Sequence, residues 1–440
     1  MSPRRPARRL RGVAAHVAGS SLHRNSGWIM ATIALTSALG YAYWLAAAHL
    51  FAAREIGLAN GVISLMTITA IVANLGTAPA LVHRLPACRE VREFSTAISA
   101  SLLAGALTGL LAGAVVLALL PALSPQLAAV RDDALLDALF LLGTGACICS
   151  TVLDYAFIAE RRSSAMSLRG AAFGLVKIPL IVLPAVAFAG TSGTTLIVAS
   201  WVTAYAVSCL LGVAVMLPRL RPGFRIQLAG TARDLRRSGR LLAGSYLTSL
   251  GNALPIYLLP VVVLTRLSAT ANAYFYVTWM VGGIFFMISS AVGSSLFAEG
   301  TNNPARLAGM TRASARATAL MLAPAILVVL AAGEQILALF GPAYARHGTH
   351  LLWVLALAAV PDAITNLYVP VLRVRGRLRA SGTLTMGMAA IAVAGAWAVA
   401  PAGGLTAVGI AWLVAQSLGS AWVALDVLAA RAALRRGVAA

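Results

Sequence analysis

The stretch PRLRPGFRIQLAGTARDLRRSGR, Pro218 to Arg240, packs seven arginines into 23 residues at the middle of a 440-residue chain. On both sides of it the sequence turns apolar, and each side divides into six runs of about 20 residues, the length that crosses the hydrocarbon of a bilayer as a helix. Before it the runs fall at roughly 27–49, 57–82, 96–121, 135–158, 170–190 and 195–217. After it they fall at roughly 241–265, 272–298, 314–340, 350–372, 383–400 and 405–429. The central stretch therefore reads as a linker between two six-helix halves.

Composition agrees with this reading. Hydrophobic residues make up 60% of the chain and charged residues 11%, against about 25% charged in a typical soluble domain. A net charge of +21 would suit nucleic-acid binding if it lay on one soluble face, but the arginines sit in short clusters between apolar runs. Their distribution carries the topology. The N-terminal tail, the connections after even-numbered runs and the C-terminal tail hold 29 basic residues, and the connections after odd-numbered runs hold four, Arg54, Arg131, Arg266 and Arg346. Such a split places both termini on the cytoplasmic side of a bacterial inner membrane. The first 26 residues carry six arginines and no apolar core with a cleavage site, so they are expected to stay as a cytoplasmic tail. The expected organisation is a tail over 1–26, an N-lobe over 27–217, a basic linker over 218–240, a C-lobe over 241–429 and a tail over 430–440. The fold class is all-α and polytopic.

The two halves repeat. At an offset of 212, Leu35, Thr36 and Ser37 fall on Leu247, Thr248 and Ser249, Arg54 falls on Arg266, and Asn60 falls on Asn272. A repeat that keeps helix order and orientation relates the lobes by an axis along the membrane normal, with a cavity between them. Polar stripes at helical spacing mark the expected cavity faces. Span 7 carries Ser245, Thr248, Ser249 and Asn252, and span 2 carries Asn60, Ser64, Thr67 and Asn74. The repeat maps the latter face onto Asn272, Tyr276, Trp279 and Phe286 of span 8. Amides and hydroxyls on one lobe opposite aromatic rings on the other suit a sugar; the plainer alternative is that small polar residues bond helix to helix.

Charges at bilayer depth are costly and are candidates for function. Lys177 in span 5 could hold a diphosphate; its structural alternative is a lysine that snorkels towards the interface. Asp362 in span 10, with Thr365 and Asn366 on its face, could exchange a proton or a sodium ion or neutralise that lysine. Its structural alternative is a cap on a helix broken by Pro361. Asp154, Asp426, Glu299, Glu334 and Asp137 lie near span ends, where interfacial placement explains them. Cys88, Cys147, Cys149 and Cys209 lack metal-ligand spacing, so neither a zinc site nor a disulfide framework is expected.

The runs AREIGLANGVISLM (Ala53 to Met66), NLGTAPALVHRLP (Asn74 to Pro86), AYFYVTWMVGGIFFMISSAVGSSLFAEG (Ala273 to Gly300) and FGPAYARHGTHLL (Phe340 to Leu352) resemble polysaccharide-exporting members of the multidrug/oligosaccharidyl-lipid/polysaccharide (MOP) flippase superfamily. The resemblance extends over nearly the whole chain. It implies a MATE-like fold of two lobes that rock to carry a polyprenyl-diphosphate-linked oligosaccharide from the inner to the outer leaflet, for O-antigen-like, teichoic-acid or other surface polysaccharide. No cofactor is expected, with energy from the membrane potential or from H+ or Na+ exchange. The expected partners are the lipid-linked substrate, membrane lipids and polysaccharide-assembly proteins, with no nucleic acid and a monomeric transport unit. A multidrug or cation antiporter of the same superfamily is the nearest alternative. A membrane glycosyltransferase or polymerase is the other, but it would need a larger outer loop than Pro121 to Leu135.

Overall fold

A computed structural model of the chain describes residues 35–74, 77–123, 125–128, 133–187, 192–227 and 243–435. Among them all regular structure is helical. The N-lobe comprises α1 (35–50), α2 (Ala53–Ala73), α3 (Val91–Leu123), α4 (Ala134–Ala159), α5 (Ser163–Ala187) and α6 (Gly193–Leu211). The C-lobe comprises α7 (Ala243–Arg266), α8 (Ala269–Asn302), α9 (Leu307–Ala338) and α10 (Pro342–Val374), then one long run, Leu378–Arg435.

Ten helices among the described residues are long and apolar enough to cross a membrane. The expectation of about twelve differs from that number at two places. α1 is described only from residue 35. The Leu378–Arg435 run holds both expected last spans as α11 and α12, divided at Gly404, whose φ of 61° and ψ of −150° suit only glycine. α12 stays helical to Arg435, so the tail expected from 430 begins as helix.

Local chemistry fixes the helix starts. Asp133 accepts from the Leu135 and Leu136 amides at the head of α4, and Ser268 accepts from the Ala271 amide at the head of α8. The helix continues through Pro361, contrary to the reading of Asp362 as a cap on a broken end. Ser420 Oγ of α12 donates to the Pro361 carbonyl at 2.7 Å, which is how neighbouring helices make proline tolerable at membrane depth.

Within each lobe the helices pack on one another, α3 with α4, α4 and α5 with α6, α8 and α9 with α10, and α7 with the last run. Large side chains such as Leu111, Leu183, Leu320 and Leu327 point outward, as lipid allows. Between lobes, α2 packs against α7 and α8 near the ends opposite the arginine-rich side. A Cβ on Gly57 would collide with the Ala269 carbonyl oxygen, and one on Gly61 would collide with Leu264. Glycine at these two places lets the helices cross backbone to backbone.

The first part of the basic linker is packed rather than free. Phe224 meets Phe94 edge-on at 6.2 Å. The amides of Arg225 and Gln227 donate to Ser95 and Ser99 of α3. The rest of the linker, 228–240, and the N-terminal tail lie outside the described residues.

Candidate functional site

Three polar centres lie within the helices, one inside each lobe and one between them. In the N-lobe, α5 presents Arg169, Phe173 and Lys177 at i, i+4 and i+8, one helical face. Lys177 is buried. Its ammonium stands 4.6 Å from the Tyr43 ring, 5.1 Å from Phe173 and 4.5 Å from Trp201. Each desolvated contact of this kind contributes about 2 kcal/mol. Among the described residues no carboxylate lies within ion-pairing distance of it. Tyr43 is held by Ser200, hydroxyl to hydroxyl at 2.7 Å, and the indole N–H of Trp201 is buried without a partner. The cage thus joins α1, α5 and α6 around one positive charge.

Two turns away Arg169, 4% exposed, forms a salt bridge with Asp154 and donates to Ser150 Oγ at 2.8 Å and Ser208 Oγ at 3.2 Å. This corrects the placement of Arg169 in the connection before span 5; Asp154, five residues before the end of α4 at Ala159 and with its side chain 34% exposed, keeps the place near a span end expected of it. α5 starts at Ser163, earlier than the expected 170, so Arg169 lies well inside the helix.

The C-lobe centre is Asp362, 5% exposed. Its Oδ2 accepts from Ser289 Oγ and Asn366 Nδ2, both at 2.8 Å. Thr365 Oγ1 reaches Gln416 Oε1 at 3.3 Å alongside. Asp362 belongs to the other lobe from Lys177, and among the described residues no cation pairs with it, so the reading in which it neutralises that lysine does not hold in this conformation.

The third centre sits where the lobes meet. Asn272 Nδ2 donates to the Gly57 carbonyl at 2.7 Å and lies 3.5 Å from Asn60 Oδ1. These asparagines are separated by 212 residues, the repeat offset, so they face each other across the pseudo-two-fold axis. Trp44 of α1 meets Tyr276 of α8 edge-on at 4.8 Å, and Tyr41 donates to the Met280 carbonyl at 2.7 Å.

The remaining stripe residues divide. Ser64, Thr67 and Asn74 are buried, with Thr67 bonded to the Ile63 carbonyl of its own helix and Asn74 accepting from the Ala78 amide. Trp279 packs on Phe275 and Trp412 inside the C-lobe. It therefore does not share a surface with Tyr276. On α7, Thr248 is buried against Ser381 of α11 at 3.2 Å, whereas Asn252 is exposed; the side chain of Ser245 falls outside what the structure describes. The partners of Lys177 escaped the sequence reading. Its aromatic cage was signalled only by Phe173 four residues earlier on the same helix; Tyr43 and Trp201 come from other helices.

Among the described residues no cluster of His, Cys, Asp and Glu could hold a metal ion. No family model matches the sequence, and no curated protein matches it. Solved structures do match. The chain is similar to a multidrug resistance MATE family transporter of the MOP superfamily in its inward-facing conformation, with a TM-score of 0.67 at 17% identity over 90% of this chain and 96% of that one. It is similar to the lipid II flippase MurJ in its inward closed conformation, with a TM-score of 0.69 at 10% identity over 90% of this chain and 87% of that one. A MOP superfamily transporter from Pyrococcus furiosus gives 0.53 at 15% identity over 93% and 95%. The fold is therefore that of a polytopic, MATE-like two-lobed membrane protein.

Proposed function

We propose that the protein is a flippase that moves a polyprenyl-diphosphate-linked oligosaccharide across the cytoplasmic membrane by alternating access, for cell-surface polysaccharide assembly. The observation that carries this reading is the Lys177 cage: a fixed cation at bilayer depth, walled by rings and without a carboxylate among the described residues. Charge of that sign suits a diphosphate, and indole and phenol rings suit sugar faces. Lobe contacts gathered at the end away from the arginine-rich side fit a cleft open to the cytoplasm, where such a substrate is made. Asp362 is the proposed coupling site, taking up H+ or Na+ as the lobes rock, with Asn366 as its partner. In this reading Asn60, Asn272 and Tyr276 form the closure on the outer side, and Asn252 lies on the open face.

The second reading is a multidrug or cation antiporter, favoured by the buried, unpaired carboxylate of Asp362. Deleting the gene and measuring lipid-linked oligosaccharide separates the two. A flippase deletion accumulates the inner-leaflet intermediate and loses surface glycan, with drug tolerance unchanged. Unchanged pools with heightened drug sensitivity would reject the flippase in favour of the antiporter.

A further inference from the structure

Apart from Lys177 the N-lobe buries a second cation, Arg169, and surrounds it with oxygens. Its Nη1 donates to Ser150 Oγ at 2.8 Å and Ser208 Oγ at 3.2 Å, and its Nη2 to the Ser150 carbonyl at 3.0 Å and to Asp154 Oδ1. Two hydroxyls, a backbone carbonyl and a carboxylate form an oxygen set of the kind that hard cations take. The guanidinium does not use all its donors there, because its Nε is buried without a partner. A rigid fork of five N–H groups meets a pocket with fewer acceptors than that.

The internal repeat relates this pocket to the other lobe. At the offset of 212 the residues that hold Arg169, namely Ser150, Asp154 and Ser208, fall on Asp362, Asn366 and Ser420. Those three also stand together, with Asn366 bonded to Asp362 and Ser420 to the Pro361 carbonyl beside it. The framing helices correspond as well. Ser381 of α11 meets Thr248 of α7 at 3.2 Å, and Gly170, next to Arg169 on α5, lies against Thr36 of α1, the residue that falls on Thr248. Each centre holds one carboxylate, and the N-lobe one has a cation of its own because Arg169 stands where the C-lobe has Ser381.

The repeat departs from itself where that side chain enters. α6 passes into a π-turn over Gly212–Met216, one turn after Ser208, whereas the equivalent residues 424–428 continue as α-helix. Such a turn inserts one residue and recurs at functional sites. Gly212 falls on Ala424, and a Cβ at Gly212 would come within 3.4 Å of Arg169 Cδ. Both departures make room for the arginine stem.

We propose that the N-lobe centre is a small-cation site on the same plan as the Asp362 centre, filled permanently by the guanidinium of Arg169. A mobile cation is then exchanged in the C-lobe alone; this last step rests on the coupling role proposed for Asp362.

Removing the tethered cation should leave a pocket that a free one fills. The Asp154 side chain, 34% exposed near the end of α4, gives such a cation a way in. The full-length protein and its Arg169→Gly variant are melted in phosphatidylcholine nanodiscs with guanidinium chloride up to about 50 mM, well below denaturing strength, and with equal KCl. Guanidinium should raise the melting temperature of Arg169→Gly saturably, by at least about 3 °C more than KCl does. It should not do so for the wild type, nor for Arg169→Gly combined with Asp154→Asn. A triple variant, Ser150→Asp, Asp154→Asn and Arg169→Ser, gives the N-lobe the residues of the C-lobe; it should fold without guanidinium and melt above Arg169→Gly. No gain over KCl in Arg169→Gly, or an equal gain without the Asp154 carboxylate, would overturn the proposal in favour of a structural ion pair. A triple variant that melts no higher than Arg169→Gly would overturn it too. If Arg169→Gly does not fold, the triple variant decides: its folding is expected, and its failure to fold overturns the proposal. Ion-dependent transport that survives Asp362→Asn would sink the coupling role of Asp362 and leave the filled site standing, since melting is read without transport.

Discussion

The two lobes share a backbone plan and fill the same place in it with opposite charge. At the offset of 212 that brings Asn60 onto Asn272, Ser150, Asp154 and Ser208 of the N-lobe fall on Asp362, Asn366 and Ser420 of the C-lobe, and Arg169 falls on Ser381. In the N-lobe these positions make a closed ion pair, Arg169 with Asp154, supported by both serines. In the C-lobe the arginine is absent, an amide stands where the paired acid was, and the carboxylate has moved to Asp362, satisfied by neutral donors. A buried ion pair is committed to one arrangement, because separating it strands a charge. A carboxylate held by a hydroxyl and an amide can accept a proton or a small cation without breaking an opposing pair. The buried centres thus differ: the N-lobe holds Lys177 beside a closed ion pair, and the C-lobe holds a carboxylate bonded to neutral donors.

Several substitutions would break or sharpen that contrast. The largest effect is expected from Lys177→Glu, which reverses a buried N-lobe cation that has no carboxylate within ion-pairing distance among the described residues: on the flippase reading, flipping falls by about two orders of magnitude or more while membrane insertion persists, as measured by lipid-linked oligosaccharide pools against protein level. Arg169→Ala strands Asp154, whose side chain is 34% exposed. Discounted for that exposure, the loss should be about 2–3 kcal/mol in denaturant unfolding. Replacing both partners, Arg169→Met with Asp154→Leu, should recover most of it. If the double variant is as unstable as the single one, the pair matters for more than its charge. Gly57→Leu drives a side chain into the Ala269 backbone and should cost about 1–3 kcal/mol, read as lost cross-linking between cysteines placed on the far ends of α2 and α8. The smallest change in stability belongs to Asp362→Asn, which keeps the shape and should stay within about 1 kcal/mol; if Asp362 has the coupling role proposed for it, transport by this variant no longer responds to an H+ or Na+ gradient. A large loss of stability there, equal to that of Arg169→Ala, would erase the distinction between the lobes.

Much of the architecture was open to a reader of the sequence alone. Apolar runs of bilayer length, arginines alternating between one set of connections and the other, and a repeat at one fixed offset are one-dimensional signals, because a membrane imposes its constraints along the chain. The site was legible only in part. Lys177 and Asp362 stand out as charges among apolar neighbours, and both are buried as that cost requires. Their partners could not be read the same way. Tyr43 and Trp201 reach Lys177 from helices far away in sequence. The polar stripes misled where a short hydroxyl bonded its own helix, as Thr67 does, since periodicity cannot tell a lining face from a packed one.

Sequence by itself determined that the chain crosses a membrane repeatedly, in two similar halves, with rare charges at depth. Only the tertiary structure decided which of those charges are paired, that the repeat meets itself at Asn60 and Asn272, and that α2 crosses α7 and α8 at close range beside Gly57 and Gly61. Spans follow from transfer of each segment into lipid, a sum over local residues. Pairing, closure and cavity depend on which helix faces meet across the lobe interface, and no local sum contains that.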